Sequence, residues 1–312
     1  MAEHNTSASP LDPAQTAQAL PYVALAHCVR ELLRDPTVSV PPRIVQPLAH
    51  GGSLFVMPAS DERVAITKLI TFVADNAQRG LPAIQGDVVV FDAQDGRRLA
   101  TLHGPTVTAR RTAAVSLLAA QLLAPTLQGK LLIVGAGVQG QAHLEAFVQG
   151  LGVREVRIAS RSASSADALV AHAHRLGVQA ERCDDPDAAL ADSTFVVSCT
   201  SAQAIALRGT PRDDAFVCAV GAFTPRMVEW APEVCRHIAS QGHVVVDTRD
   251  ADHEAGDLLQ AGLEVNQFAC LADVVNQRPL WAGQQDRGGP VLFKSCGWAG
   301  WDLAAARCVI GG

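Results

Sequence analysis

The spacing of apolar residues changes along the first third of the chain. Residues 22–33 place apolar side chains at helical intervals, which predicts an amphipathic helix. Between residues 41 and 107 the apolar residues fall into short strand-like runs, namely RIVQPL, SLFVMPA, VAITKLITFV and DVVVFDAQDGRRLATL. Asp95-Gly96 divides the last of these runs and predicts a hairpin turn. Residues 106–124 return to a helical pattern, which we expect to begin through Thr108.

From Lys130 onward the chain alternates between strand-like and helix-like segments. The candidate strands are KLLIV, VREVRIAS, VQAERC, TFVVSCT, AFVCAV and HVVVD, with Ala-rich helical segments such as residues 164–176 among them. This alternation is typical of βαβ units on a parallel sheet. The last segment, LFKSCGWAGWDLAAARCVI, predicts a Gly-containing loop followed by a helix. We therefore predict an α/β protein with a Rossmann-type doubly wound parallel sheet over residues 119–295 and an α+β domain made of residues 1–118 with 296–312.

Composition and charge exclude several classes of partner. The 312 residues include 25 Lys and Arg and 31 Asp and Glu, a formal net charge of −6, so no general cationic field attracts nucleic acid or an anionic membrane. No secretory signal is visible, and the longest apolar stretch, residues 113–124, is too short to span a bilayer, so we expect a cytoplasmic protein. The eight cysteines form no CxxC motif, and the histidines show no ligand spacing, so no metal site is predicted.

A glycine-rich motif follows the strand KLLIV. The segment Gly135-Ala136-Gly137-Val138-Gln139-Gly140 has the G-x-G-x-x-G pattern, between a buried strand and a helix. In such a motif the first glycine permits the tight turn, the second lets a pyrophosphate approach the backbone, and the third permits close packing of helix on strand. The amides at the start of the helix then attract the phosphates. This context predicts a dinucleotide site at Gly135, Gly137, Val138, Gln139 and Gly140.

The end of the next strand indicates which dinucleotide binds. An NAD-dependent enzyme has an acidic side chain there for the ribose 2′-hydroxyl, whereas this chain has Ser160, Arg161 and Ser162. A guanidinium beside two hydroxyls suits a 2′-phosphate by charge and by geometry. We therefore predict NADPH as the cofactor, with NADH as a weaker alternative.

Taken together, these and other motifs resemble the ornithine cyclodeaminase/mu-crystallin family along nearly the whole chain. The segments that carry the resemblance are Met57-Pro58-Ala59, Lys68-Leu69, Asn76 with Gly80-Leu81-Pro82, residues 108–114 (TARRTAA), GAGVQGQAH, Glu254-Ala255-Gly256-Asp257 and Phe293-Lys294-Ser295. The resemblance implies a homodimer whose discontinuous domain (1–118 with 296–312) mediates substrate binding and dimerisation. Further cofactor contacts are expected at Thr200, Val220, Gly221 and Ser295.

The resemblance also implies the substrate residues. Arg43 and Arg111 match the positions that bind the substrate carboxylate, and Lys68 matches the catalytic lysine. The chemistry agrees, because two guanidiniums can hold one carboxylate and a desolvated ammonium can transfer a proton. Lys68 lies within the apolar run VAITKLITFV, which is an unfavourable place for a charge without a role. Glu254 is expected to be a polar contact near the site.

Departures from the family pattern narrow the activity. Where cyclodeaminases of the family carry a catalytic aspartate this chain has Phe223, and Met227 and Ala83 replace a lysine and a threonine. A phenyl ring can neither activate water nor bind an ammonium, so Phe223 predicts an apolar substrate contact and ornithine deamination is disfavoured.

The branch that the chain resembles most is that of the Δ1-pyrroline-2-carboxylate reductases. We therefore expect the protein to reduce cyclic ketimine carboxylates to L-proline or L-pipecolate. The expected partner is thus a small imino or amino acid. An amino-acid or N-alkyl-amino-acid dehydrogenase and a mu-crystallin-like NADPH-dependent binding protein remain alternatives. For His103, which precedes TVTARRT, a structural hydrogen bond is favoured over proton relay.

Overall fold

A computed structural model describes residues 9–277 and 288–311. The chain divides into two compact units, one formed by Met1–Arg111 with Trp298–Gly312 and the other by Thr112–Gly297. The two boundaries between these units, at 111/112 and 297/298, lie within a few residues of the domain boundaries expected from the sequence, at 118/119 and 295/296. The roles expected for the two domains stay predictions. Among the described residues, no helix is both long enough and apolar enough to cross a membrane.

The first unit contains a five-stranded antiparallel sheet in which neighbours in the chain are neighbours in space. Its strands are β1 (Ile44–Pro47), β2 (Ser53–Ser60), β3 (Val64–Phe72), β4 (Ile84–Asp92) and β5 (Arg98–His103). The predicted hairpin at Asp95-Gly96 is confirmed, since β4 and β5 pair antiparallel around it. Gly96 there has a φ of +75°, a left-handed conformation that favours glycine.

Three helices of the described residues lie wholly within this unit: α1 (Pro13–Gln18), α2 (Tyr22–Arg34) and α10 (Ala299–Ile310). The predicted amphipathic helix α2 buries the side chains of Tyr22, Leu25, Ala26, Val29 and Leu32. Helix α10 packs against α2 and across β2 and β3. Its alanines 304–306 are fully buried, and their small side chains allow close contact. A C-terminal helix thus lies directly on the central strands of the first sheet.

Helix α3 (Gly104–Leu123) crosses the boundary between the units, which falls between Arg111 and Thr112. It begins earlier than the expected start through Thr108, because Pro105 is tolerated within the first turn of a helix. His103 accordingly ends strand β5 directly before the helix.

The second unit is built on an eight-stranded sheet whose neighbouring strands all run parallel. Its strands are β6 (Lys130–Val134), β7 (Glu155–Ala159), β8 (Gln179–Arg182), β9 (Ser193–Ser198), β11 (Phe216–Ala219), β13 (His243–Val246), β14 (Ala269–Cys270) and β15 (Val291–Lys294). They are arranged in the order β14-β13-β15-β11-β9-β6-β7-β8. Strands β10 (Gln203–Leu207) and β12 (Val228–Trp230) form a separate parallel pair.

Helices alternate with these strands along the chain. They are α4 (Val138–Leu151), α5 (Ala163–Arg175), α6 (Pro186–Ala189), α7 (Pro232–Gln241), α8 (Gly256–Gln260) and α9 (Leu271–Val275). The order of the sheet changes direction between β6 and β9, as in doubly wound nucleotide-binding folds. The predicted fold class, a Rossmann-type sheet with a second α+β domain, is confirmed.

One predicted loop is a strand. Leu292–Lys294 was expected to begin a Gly-containing loop, whereas these residues belong to strand β15 (Val291–Lys294) between β11 and β13, with all four residues of the strand buried. The run is too short to show a period, and strands buried on both faces read as continuous apolar segments. Pairing on both sides decides its conformation, and this information lies in distant parts of the chain.

A buried ion pair stabilises the second unit. Lys294, the last residue of β15, places its Nζ 2.9 Å from Oδ2 of Asp257, and both side chains are fully buried. Burial opposes the charge of Lys294, but the negative groups around it, Asp257 and Glu229 among them, together outweigh burial, so the pKa of this lysine lies above its usual value. Asp257 also accepts hydrogen bonds from the backbone amides of Glu229 and Trp230, at 2.6 and 3.0 Å. The pair therefore ties α8 and β12 to the centre of the sheet.

Replacing Asp257 with alanine should strongly destabilise the protein. The change leaves the Lys294 ammonium buried without its partner. Because a buried charge without a partner is unfavourable, we expect the free energy of unfolding to fall by about 3–5 kcal/mol. Urea denaturation followed by circular dichroism measures this loss. The matched control is Asp214→Ala, which breaks a half-exposed ion pair with Arg212 and should cost at most about 1 kcal/mol. Equal losses in both variants would contradict the prediction.

Candidate functional site

The glycine-rich turn lies between β6 and α4, and two of its glycines are required by geometry. Gly135 has a φ of +118°, and a Cβ there would lie 2.6 Å from the carbonyl oxygen of Cys199. A Cβ on Gly140 would lie 2.1 Å from the carbonyl oxygen of Gly135. At Gly137, by contrast, a Cβ would meet no atom within 4 Å. The first and third glycines thus close the turn, whereas the second leaves open space beside the start of α4.

A cavity of about 540 Å³ opens beside this turn, within the second unit. Five of the predicted cofactor residues line it, namely Gly135, Gly137, Ser160, Arg161 and Thr200. Val138 and Gln139 form the first turn of α4, where Val138 is 71% exposed, and Gly140 is buried behind them. Ser162 caps α5 by accepting a hydrogen bond from the amide of Ser165 at 3.2 Å. Five of the twelve predicted cofactor residues thus line one cleft, and four more belong to the adjoining starts of α4 and α5.

Arg161 lies at the rim of this cavity. It follows the end of β7 and is exposed, and its Nη2 donates a hydrogen bond to Oγ of Ser201 at 3.0 Å. The residue that ends β7 is Ala159, so no carboxylate occupies the position at which NAD-dependent enzymes bind the ribose. An acid, Asp184, does line the cavity after β8, and it lies 3.1 Å from Nε of Arg182.

Three predicted cofactor residues lie on the same edge of the sheet but do not line this cavity. Val220 and Gly221 follow β11, and Ser295 follows the neighbouring strand β15. The hydroxyl of Ser295 donates to Oδ2 of Asp247 at 2.9 Å. Because carboxyl ends of parallel strands meet at one edge, where doubly wound folds bind ligands, their position is compatible with the predicted role.

Sequence reasoning missed Glu229, which connects the loops of that edge. Its buried carboxylate accepts hydrogen bonds from the backbone amides of Thr200 at 2.6 Å and Gly221 at 2.7 Å. It also accepts from the hydroxyl of Ser198 at 3.0 Å. Burial raises the pKa of Glu229, while the charge of Lys294 opposes that rise. The sequence did contain a signal, because Glu229 is a charged residue within the apolar segment around Trp230. A charge in an apolar segment is also what identified Lys68.

In the first unit, three charged side chains form one buried cluster. Lys68 lies on the inner face of β3 with Val64, Ile66 and Ile70, and its side chain is 2% exposed. Its Nζ is 2.7 Å from Oδ2 of Asp302 on α10. The other carboxylate oxygen of Asp302 is 3.4 Å from Nε of Arg111 on α3. The structure thus brings Lys68 and Arg111 together, as the family resemblance implies, around an aspartate that sequence reasoning missed.

The acidity of Lys68 follows from this environment. Burial lowers its pKa to about 8, and the adjacent Asp302 carboxylate opposes this change. The positive charges of Arg111 and Arg43 lower the pKa of Lys68 further. A lysine with a pKa near neutrality can both donate and accept a proton at physiological pH. The cluster is therefore suited to acid–base chemistry beside an anion.

The remaining predicted substrate residues lie elsewhere in the two units. Arg43 is half-buried immediately before β1, within the unit of Lys68. Phe223 belongs to the second unit, where it is half-buried against that unit's apolar core. Glu254 ends the 3₁₀ turn Arg249–His253 of the same unit. Their contacts with a substrate stay predictions.

His103 has the structural hydrogen bond that the sequence favoured. Its Nδ1 lies 2.8 Å from Oγ1 of Thr106, in the first turn of α3. Its backbone amide donates to Oγ1 of Thr16 at 3.1 Å. Over residues 9–277 and 288–311, no group of three or more His, Cys, Asp or Glu side chains is arranged to hold a metal ion.

Comparisons with known proteins agree with the resemblance. Residues 16–311 match the sequence model of the ornithine cyclodeaminase/mu-crystallin family. Delta(1)-pyrroline-2-carboxylate reductase 1 of Burkholderia multivorans is 40% identical over 302 residues, which cover 95% of this chain and 93% of that protein. The Delta(1)-pyrroline-2-carboxylate/Delta(1)-piperideine-2-carboxylate reductase of Azospirillum brasilense is 38% identical over 310 residues, 97% of this chain and 96% of that one.

A solved structure shares the fold. The Delta(1)-pyrroline-2-carboxylate reductase of Thermococcus litoralis, in complex with NADH and L-proline, superposes with a TM-score of 0.82. It is 22% identical in sequence, and the match covers 97% of this chain and 94% of that one. At this identity the likeness concerns the fold alone.

Alanine at two glycines of the turn should distinguish a tightly packed position from one beside open space. Gly140→Ala forces a Cβ against a backbone oxygen, so we expect a clear loss of thermal stability, of about 1–3 kcal/mol as for overpacked sites. Gly137→Ala meets no neighbour, and it should leave the melting temperature of the ligand-free protein near that of the wild type. Differential scanning fluorimetry compares the two variants. A destabilised Gly137→Ala with a stable Gly140→Ala would contradict this account of the turn.

Proposed function

Because the chain belongs to the ornithine cyclodeaminase/mu-crystallin family, we propose that it reduces cyclic ketimine carboxylates with a nicotinamide cofactor. The substrates are Δ1-pyrroline-2-carboxylate and Δ1-piperideine-2-carboxylate, and the products are L-proline and L-pipecolate. The observation that carries the proposal is the buried cluster of Lys68, Arg111 and Asp302, which unites a titratable ammonium with a cation for a carboxylate. The names of the most similar relatives support the same substrate class.

The charges of the cluster favour an anionic substrate. Lys68 and Arg111 supply two positive charges and Asp302 one negative charge, so the cluster carries one positive charge in excess. Uncompensated buried charge is unfavourable, so a bound monocarboxylate lowers the free energy of the cluster. In this proposal Arg111 and Arg43 bind the substrate carboxylate.

The protein's chemical step is a proton transfer. A bound reduced nicotinamide supplies the hydride that the imine carbon accepts. The imine accepts hydride well only when its nitrogen is protonated, and the Lys68 ammonium is the proposed donor of that proton. The carbon–nitrogen double bond of the substrate then becomes a single bond, with the hydride on carbon and the proton on nitrogen. Lys68 regains a proton from solvent after product leaves.

The cleft of the second unit fits a dinucleotide. Gly137 provides open space beside the start of α4, where the amides of Val138 and Gln139 are suited to a pyrophosphate. We propose that Ser160, Arg161 and Ser162 bind a 2′-phosphate, so that NADPH is preferred and NADH is a weaker alternative. Thr200, Val220, Gly221 and Ser295 are the proposed contacts on the rest of the cofactor.

We further propose a homodimer that acts in the cytoplasm. The sheet of the first unit exposes large apolar side chains on one face, where Ile44 and Leu69, 60% and 45% accessible, both align with Val56. Exposed apolar clusters are typical of protein interfaces. Size-exclusion chromatography with light scattering measures the assembly state.

Removing the Lys68 ammonium should slow the reaction more than it weakens cofactor binding. For Lys68→Ala we expect kcat with Δ1-pyrroline-2-carboxylate to fall by roughly 10²–10⁴, the usual contribution of general acid catalysis. NADPH affinity, followed by fluorescence titration, should stay near that of the wild type. Arg111→Ala should mainly raise KM for the carboxylate. Lys130→Ala, at a half-exposed lysine of β6, is the matched control and should leave kcat unchanged.

Three results would count against this mechanism. Wild-type kcat in Lys68→Ala would exclude the lysine as the acid. Reduction of an open-chain keto acid with an amine, without turnover of either cyclic imine, would indicate an amino-acid dehydrogenase. Tight NADPH binding without turnover of any of these substrates would indicate a binding protein.

Reversing the charge at Arg161 should reverse or erode the cofactor preference. One charged hydrogen bond contributes about 1.5–3 kcal/mol, so Arg161→Asp should weaken NADPH binding roughly ten- to a hundred-fold relative to NADH. Steady-state kcat/KM for both cofactors measures this. Arg175→Asp, an exposed arginine of α5, is the control and should preserve the wild-type ratio. Equal kcat/KM for NADPH and NADH in the wild type would refute the assignment.

A further inference from the structure

Asp302 is the least expected member of the charged cluster. It occupies the fourth position of α10, between the fully buried Trp301 and Leu303, and is itself fully buried. Each of its two carboxylate oxygens faces a different cation, Lys68 Nζ at 2.7 Å and Arg111 Nε at 3.4 Å. An unpaired carboxylate at such a position would strongly destabilise the fold. The charge of Asp302 is therefore stable there only because the two cations compensate it.

The charges around Lys68 come from three parts of the first unit. Asp302 on α10 attracts the ammonium, whereas Arg111 on α3 and Arg43 before β1 repel it. Burial on β3 acts in the same direction as the two arginines, because it disfavours the charged lysine. Asp302 therefore opposes burial and both arginines in their effect on the charge of Lys68.

We propose that Asp302 is a positioning residue that keeps Lys68 protonated and aimed, so that the lysine can donate its proton at neutral pH. The inference rests on the proposed imine reduction and extends it to a residue that need not touch the substrate. In this view one carboxylate holds both the acid and the carboxylate-binding arginine in place. Two like charges thus stay together at a buried position.

The sign of the pH dependence follows directly. A general acid works while it is protonated, so the rate falls as pH rises through the pKa of Lys68, about 8 in the intact cluster. Removing the Asp302 charge leaves burial, Arg111 and Arg43 unopposed, and all three lower that pKa. The alkaline fall in rate should therefore begin at lower pH.

The first test is the pH profile of kcat for Δ1-pyrroline-2-carboxylate reduction. Asp302→Asn keeps the size of the side chain and removes its charge, and it should move the alkaline limb to lower pH by roughly one to three pH units. The matched control is Asp61→Asn, which neutralises another buried aspartate of this unit, one paired with Arg307 on the same helix. Its limb should stay at the wild-type position. Asp302→Glu restores the charge and should lower kcat while keeping the limb in place.

The second test needs no turnover. Above a pH of about 8 the wild-type Lys68 loses its charge and with it the ion pair, so the melting-temperature deficit of Asp302→Asn should be larger near pH 7 than near pH 10. Asp61→Asn should show the same deficit at both, because its arginine partner keeps its charge throughout. Differential scanning fluorimetry across this range gives both deficits.

The outcomes separate the two proposals. A wild-type protein that reduces neither cyclic imine overturns the proposed function, and the melting-temperature comparison still tests the pairing of Asp302 with Lys68. An active wild type, with unmoved limbs and a pH-independent deficit in Asp302→Asn, overturns the role of Asp302 alone. A limb that moves in Asp302→Glu likewise contradicts the inference, and this variant serves if Asp302→Asn does not fold.

Discussion

The constraint on which this molecule depends is that charge taken out of water must be compensated. Lys68 lies among apolar side chains on the inner face of β3, and its ammonium is retained because Asp302 lies against it. That carboxylate can reach the strand only because α10 packs across β2 and β3. The C-terminal helix is therefore part of the candidate site as well as part of the core. Because burial and the neighbouring arginines oppose the charge, the same arrangement leaves the lysine able to exchange its proton near neutral pH.

The second unit obeys the same rule. Glu229, Asp257 and Lys294 are fully buried, and each has hydrogen bonds or an ion pair that connects a loop or strand to its neighbour. Glu229 holds the loops after β9 and β11, so this edge of the sheet is organised by a buried side chain. Buried polar groups with satisfied partners make a site rigid, which is what precise placement of a reacting group requires.

Much of this could be predicted from the sequence, where the signal was local. The period of the apolar residues indicated an antiparallel sheet followed by βαβ units, and Gly135, Gly137 and Gly140 indicated a dinucleotide turn in its strand–turn–helix context. Lys68 was conspicuous because a charge in an apolar strand is costly. Val291–Lys294 was missed because a strand of four buried residues has no period to detect, and its pairing partners lie far away in the chain.

The amino-acid sequence by itself thus determined the fold class, the position of the glycine turn and the family, and it identified Lys68 and Arg111 as candidate site residues. Each of these depends on residues that are close in the chain or on motifs with characteristic spacing. Only the tertiary structure decided which anion compensates Lys68 and which acid joins the loops after β9 and β11. Asp302 and Glu229 resemble many other acids in the sequence, and their partners lie in distant segments. Ion pairing acts through space, so its partners are set by the packing of helices on sheets and not by order along the chain.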